Sequence, residues 1–203
     1  LKKNIKLFLQ IGSCVEYGKA PSPQKEIYIT DVNKVNSKYG KAKLLATNYL
    51  LEKNKQYKFP CTILRPYLVY GPKQDFNRFI PITIKGCFLN SKFPSSSGKQ
   101  FRDFLYIDDF IDAVFKCLKS NKVIGEIFNV GSAKPQKIKN VIKIIKNIIK
   151  SGRPDFGKIN MRKDEILKLY PDIEKIKTIL NWYPKENFQN GLKKTIRYYG
   201  KNI

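Results

Sequence analysis

The sequence predicts an α/β fold whose sheet is largely parallel, and three features carry that prediction. Short apolar runs at residues 5–11, 61–70 and 126–130 each stop at a glycine-led turn, as buried strands do. Segments with helical spacing of apolar residues separate them, so strand and helix alternate along the chain. At 203 residues with 42% hydrophobic and 13% aromatic content, the chain can bury one sizeable core, or one domain with a lobed extension.

The first run, I-K-L-F-L-Q-I, ends at Gly12-Ser13 and reads as a buried strand entering a loop. Residues 18–37 are polar and contain prolines, which marks a loop. From 37 to about 55, Tyr39, Leu44, Leu45, Tyr49 and Leu50 fall at helical spacing. C-T-I-L-R-P-Y-L-V-Y, residues 61–70, reads as a strand closed by Gly71-Pro72. A helix is expected over 77–89, then a turn at S-S-S-G, residues 95–98, between short strands. Residues 101–106 read extended, after which Asp108 or Asp109 can cap a helix reaching Leu118. E-I-F-N-V, residues 126–130, is a strand with Gly131-Ser132 as its exit. Residues 138–150 alternate apolar and basic positions at helical period, and two more helices are expected near 172–180 and 188–199, split by N-W-Y-P.

Composition excludes several function classes. There is no histidine, and the four cysteines (Cys14, Cys61, Cys87 and Cys117) include no C-x-x-C pair. Zinc fingers, zinc hydrolases and Ser-His or Cys-His nucleophiles are therefore not expected within this chain. Widely spaced cysteines in apolar contexts read as free and intracellular. No run of eighteen uninterrupted apolar residues is present, so no membrane partner is expected. The start is basic but lacks the long apolar core of a signal peptide, and it lacks an initiating Met, so Leu1 reads as other than the natural start.

The formal net charge of +24 invites a nucleic-acid reading. Of 40 basic residues only six are arginine, and the lysines are spread along the chain, as an AT-rich coding sequence produces, so nucleic acid is not the expected partner. Where lysine is the default cation, an arginine is the better candidate for a role needing a planar two-pronged donor. The six are Arg65, Arg78, Arg102, Arg153, Arg162 and Arg197. Arg65 lies inside a strand, so an internal pair and a ligand contact remain equal readings; Arg153 and Arg197 read as solvated. Asp103, Asp108, Asp109 and Asp112 could be imagined around a hard metal, but helix capping explains them better and no metal is expected.

In N-S-K-Y-G-K-A-K, Tyr39 and Lys43 sit one helical turn apart on a common face. An ammonium beside a phenol favours the phenolate, which makes a usable proton-transfer group. With 12 tyrosines, about two such pairs arise by random spacing, and the chain has two, the other being Tyr49–Lys53. Only the surroundings can raise the first above chance.

Those surroundings run in a fixed order: I-G-S-C-V-E-Y-G, Y-G-K-A-K, L-R-P-Y-L-V-Y-G-P, F-R-D-F-L-Y-I-D-D, F-N-V-G-S, then R-K-D-E, Y-P-D-I-E-K and L-N-W-Y-P. This closely resembles the extended short-chain dehydrogenase/reductase family, in particular its NAD-dependent sugar-nucleotide epimerases, dehydratases and reductases, over essentially the whole chain. The resemblance implies the C-terminal part of a Rossmann-type, largely parallel sheet at 1–71 and 101–130, with a small α/β substrate lobe at 72–100 and 131–203.

It further implies Tyr39 as catalytic acid/base, Lys43 lowering its pKa and holding the nicotinamide ribose, and Ser13 bonding the reacting sugar oxygen. The cofactor, NAD or NADP, is implied to meet Tyr39, Lys43 and Pro66. Arg102 and Arg162 are implied to grip the diphosphate of a nucleoside-diphosphate sugar, with Arg78 and Asn129 also on the substrate groove. The implied protein is a cytoplasmic homodimer supplying cell-surface polysaccharide synthesis.

The family's glycine-rich turn, G-x-x-G-x-x-G, is missing, so the chain reads as about the C-terminal two-thirds of such an enzyme. Cys14-Val15 stand where the dehydratases carry an Asp-Glu pair, which disfavours dehydration. Leu68 stands where many members have an asparagine, leaving sugar and nucleotide open. The expectation is an epimerase or 4-keto-sugar reductase; the alternatives are a catalytically incomplete binding or scaffold module and, third, a basic nucleic-acid binder.

Overall fold

The structure, a computed structural model, describes residues 5–28, 30–161 and 165–201. In chain order, β1 (Phe8–Ile11) leads through a 3-10 turn (Cys14–Tyr17) and a long loop into α1 (Lys38–Tyr57). Next come β2 (Cys61–Pro66), β3 (Leu68–Tyr70), α2 (Phe79–Phe88), β4 (Lys92–Ser95), β5 (Phe101–Arg102), β6 (Phe104–Tyr106) and α3 (Ile107–Leu118). β7 (Ile127–Val130), β8 (Gln136–Lys137), α4 (Ile138–Ile149), β9 (Arg153–Phe156), β10 (Lys168–Leu169), α5 (Glu174–Leu180) and α6 (Phe188–Gly200) follow.

The expected parallel sheet is present. Its central strand, β2, pairs with β1 on one side and β7 on the other, both parallel. Five of its six residues are buried, as a strand covered on both faces requires. The remaining pairings are β3 with β6, β4 with β9, and β10-β5-β8; only β5 with β8 is antiparallel.

Two expected strands divide. The run at 61–70 splits at Tyr67, whose N–H donates to Val130 O at 3.0 Å in the first sheet, while Leu68 N–H donates to Asp103 O at 3.0 Å beside β6. The chain thus changes sheets there. Residues 101–106 split at Asp103 for the same reason. The aspartates do not cap α3: it begins at Ile107 behind Tyr106 with no side-chain cap, and Asp109 instead accepts from Lys185 N–H and Glu186 N–H at 2.9 and 3.0 Å.

Two large apolar clusters hold most of the core, with a smaller one of Cys14, Tyr67 and Leu169 beside them. One gathers Leu64, Leu105, Cys117, Phe128 and Trp182 around the first sheet, and Ile173 and Ile176 join it although they follow residue 131. The other joins Ile84, Phe104, Ile145, Leu192 and Tyr199, with α2, α4 and α6 packed together. Among the described residues no helix is long and apolar enough to cross a membrane.

Helix α1 carries the first site residues and is fixed at its start. Ser37 caps it, its hydroxyl accepting from Gly40 N–H at 3.0 Å. Gly40 presses against the loop after β1: a Cβ there would lie 2.7 Å from Val35 Cγ1, 2.9 Å from Ser37 Oγ and 3.2 Å from Val15 O. Gly40→Ala is therefore expected to destabilise the protein by about 1–3 kcal/mol through overpacking, despite alanine's better helix propensity. A urea midpoint equal to or above that of the wild type would show that helix and loop are not in this contact.

Candidate active site

Ser13 stands at the end of β1 as N-cap of the 3-10 turn, where its hydroxyl accepts from Val15 N–H at 3.4 Å. Its backbone N–H donates to Glu16 Oε1 at 2.7 Å, completing a capping box. Tyr39 lies in the first turn of α1 and is 59% exposed. Lys43 Nζ sits 5.7 Å from the Tyr39 ring centroid and donates to Ile11 O, the last carbonyl of β1, at 2.9 Å. The ammonium thus ties α1 to the carboxyl end of β1, where ligands enter open α/β sheets.

Ser13, Tyr39, Pro66 and Arg78 line one cleft of about 860 Å³. Leu68, Phe79 and Phe104 form part of its apolar wall. Asp75 is the one carboxylate among the described residues that line it, and Asp75 Oδ1 accepts from Asn77 N–H at 2.9 Å. Cys14 and Val15, also on the cleft, bring no acid.

Leu68 and Phe79 are shared with a second cleft of about 460 Å³, lined also by Phe93, Gln100, Arg102 and Glu165. Arg102 donates through Nη1 to Phe101 O at 2.8 Å and pairs with Glu165 through Nη2. Burial holds its pKa below the ordinary guanidinium value, with Glu165 acting the other way. Gln100 is 9% exposed, and its Oε1 has no hydrogen-bond partner among the described residues. An orphaned buried carbonyl beside an arginine suits a ligand with an N–H donor and an anionic group.

Not every expected residue reaches these clefts. Asn129 is fully buried. Its Nδ2 donates to Gln24 O at 2.8 Å and Asp172 O at 3.3 Å, and its Oδ1 accepts from Tyr17 Oη at 2.8 Å. Its amide is thus spent on the scaffold, and Asn129 is not among the residues that line the two clefts. Arg65 proves an internal pair, its Nε donating to Glu16 Oε2 at 2.9 Å with side-chain exposures of 2% and 0%. Arg162 lies outside the described residues. No group of three or more potential metal ligands occurs among the described residues.

Gln100, Glu165 and the anchoring role of Glu16 were not read from the sequence. Gln100 and Arg102 are two apart, so an extended backbone puts them on one side; that spacing was the available signal. Glu165 carried none, since its pairing with Arg102 spans 63 residues.

Burial also governs the thiols. Desolvation pushes Cys14 and Cys117 up to about 12 and Cys87 up to about 11. All four cysteines are free and buried. An aromatic disulfide reagent at pH 8 is expected to find no fast thiol in the native protein and four after unfolding, because thiolate is the reactive form. A fast native thiol at Cys14 would show the Ser13 loop to be open.

A profile of the NAD dependent epimerase/dehydratase family matches residues 1–131. The chain belongs to that family. Among curated members, human dTDP-D-glucose 4,6-dehydratase is 31% identical over 206 aligned residues, 98% of this chain and 58% of its own length. UDP-glucuronate 4-epimerase of Thermodesulfobacterium geofontis is 30% identical, over 98% of this chain and 60% of its own. The chain therefore spans about three-fifths of the curated relatives it matches. Among solved family structures, UDP-glucuronic acid 4-epimerase from Bacillus cereus, in complex with UDP-glucuronic acid and NAD, superposes with a TM-score of 0.91 at 26% identity. That match covers 100% of this chain and 64% of the other.

Proposed function

We propose that this chain carries the acid/base and sugar-nucleotide-binding part of an NAD(P)-dependent enzyme that epimerises or reduces a nucleoside-diphosphate sugar at C4. The observation that carries the proposal is the gathering of Ser13, Tyr39 and Pro66 on one cleft, with Lys43 beside Tyr39, next to a second cleft holding Arg102 and Gln100. Two clefts that share Leu68 and Phe79 in their walls suit a two-part ligand, with the sugar in the first and the diphosphate and base in the second. Tyr39 would take the proton of the sugar hydroxyl, Lys43 would hold the nicotinamide ribose, and Ser13 would hydrogen-bond the reacting oxygen. Arg102 would hold the diphosphate, Arg78 would contact the ligand from the first cleft, and Gln100 Oε1 would accept from the base.

The nicotinamide end of the cofactor fits what is present: an exposed phenol, an adjacent ammonium with donors to spare after Ile11 O, and Pro66 at the strand end. For the pyrophosphate end, these 203 residues hold no glycine-rich turn. When bound, the nicotinamide supplies reversible hydride acceptance; the proton chemistry belongs to this chain's residues. Elimination of water is disfavoured, because Asp75 is the one carboxylate among the described residues lining the first cleft and Glu16 is turned away into the core. Cytoplasmic residence and a homodimer, the latter through the face of α1 that exposes Leu45 and Tyr49, complete the reading.

Arg102→Ala is expected to weaken binding of UDP or dTDP to this chain at least about tenfold, since charge-assisted bonds to phosphate contribute roughly 1.5–3 kcal/mol each. Calorimetry reads it directly, and an unchanged affinity removes the diphosphate assignment. A second reading is a binding module without redox chemistry. Titration of the chain with NAD separates the two: saturable binding supports the enzyme reading, and none supports the module.

A further inference from the structure

A third concavity, of about 420 Å³, shares no lining residue with the two described above. Lys143 and Lys146 of α4, Lys92 of β4 and Arg153 of β9 surround it, over a wall that includes Pro154 and Phe156. The surrounding sequence is almost bare of counter-charge: residues 131–161 hold eight lysines and arginines against one carboxylate, Asp155. Asp155 is committed to Lys92, 3.2 Å away. Among the described residues, three cations therefore face one hollow without a carboxylate partner.

Their arrangement works against the isolated protein. Lys143 and Lys146 are three apart on one helix, and Lys92 and Arg153 occupy the same register position of the parallel β4–β9 pair. Both are like-charge neighbours, which are destabilising. The frame is nonetheless fixed. Arg153 Nε donates to Asn90 O at 3.1 Å, which orients the guanidinium, and Lys139 Nζ lies 5.0 Å from the Phe156 ring centroid. Lysine abundance alone scatters cations over a surface; here they ring a concavity on held supports.

We propose that this hollow is a binding site for a compact oligophosphate, an anion with two or more adjacent phosphate groups. Three uncompensated cations exceed what one phosphate needs, and the enclosing helix and strand pair favour a small anion over a duplex. Free inorganic oligophosphate and the phosphate chain of a nucleotide share this chemistry, and the test separates them.

Sodium tripolyphosphate and ATP are titrated separately into the 203-residue chain by calorimetry, at low and raised salt. Tripolyphosphate is expected to bind saturably and more weakly at raised salt. Lys143→Ala/Lys146→Ala is expected to weaken binding at least about tenfold, with Arg153→Gln acting in the same direction. The charge-matched Lys119→Ala/Lys122→Ala variant, at exposed lysines outside the hollow, and Arg102→Ala are expected to leave it intact, whatever becomes of the nucleotide-sugar reading. ATP binding with the same variant dependence supports the site with a nucleotide as its source; tripolyphosphate alone supports a free anion. No saturable binding, equal losses in both lysine double variants, or loss in Arg102→Ala would overturn the proposal. So would binding of a single-stranded oligonucleotide at these lysines without tripolyphosphate.

Discussion

Replacing Glu16 by alanine is expected to cost about 3–5 kcal/mol of stability, because it strands Arg65 as an uncompensated buried charge. The carboxylate is fully buried and accepts three bonds: from Ser13 N–H at 2.7 Å, Thr47 Oγ1 at 2.9 Å and Arg65 Nε at 2.9 Å. Those partners belong to the Ser13 loop, to α1 and to β2, so one side chain joins three elements around the cleft. Gly12 makes room for it, since a Cβ there would come 2.4 Å from Glu16 Oε1. Arg65 in turn stacks on Tyr17, its guanidinium carbon 4.4 Å from the ring centroid. Urea denaturation followed by circular dichroism measures the loss. Glu16→Gln should fall between alanine and wild type, since its one amide oxygen keeps either the Ser13 bond made at Oε1 or the Thr47 and Arg65 bonds made at Oε2. A Glu16→Leu/Arg65→Met double variant should recover much of the loss, as apolar replacements of buried pairs do. A loss below about 1 kcal/mol for Glu16→Ala would mean that water reaches Arg65 and the pair is not sealed.

The same network shows where sequence reading stopped. The central strand and α1 were legible because an apolar run at 61–66 and the helical spacing of Tyr39, Leu44, Leu45, Tyr49 and Leu50 act locally. The two-residue strands β8 and β10 were not, since no propensity marks two residues and their pairing with β5 is set by distant chain. Tyr67 reads as a continuing strand because each sheet alone would accept it; the change of sheets is a tertiary choice. Ser13, Tyr39, Lys43 and Pro66 could be placed from motif order, and the structure brings them to the carboxyl ends of β1 and β2. Asn129 could not be told from a groove residue, because its partners Tyr17 and Gln24 lie more than a hundred positions away. Arg65 was open between pair and ligand for the same reason, Glu16 being 49 positions distant.

Tyr39→Phe is expected to lower kcat of the full-length enzyme by about 10²–10⁴-fold, the range for losing a positioned proton-transfer group. The substitution removes one oxygen. It leaves the ring, its place in the first turn of α1 and the neighbouring Lys43, whose anchor is Ile11 O rather than the phenol. Helix and cleft should persist, so nucleotide-sugar affinity should change by no more than a few fold. That separation distinguishes a proton carrier from a binding residue, because an interaction made only in the transition state lowers kcat and kcat/KM together. Lys43→Met offers the complementary test. Without the ammonium the nicotinamide ribose loses its proposed donor, so activity should fall in the full-length protein. Since Lys43 also ties α1 to β1, Lys43→Met should lose some stability as well, whereas Tyr39→Phe, at an exposed phenol, should not. Full activity in Tyr39→Phe would remove this tyrosine from the chemistry and leave Ser13 and the cofactor to account for the proton.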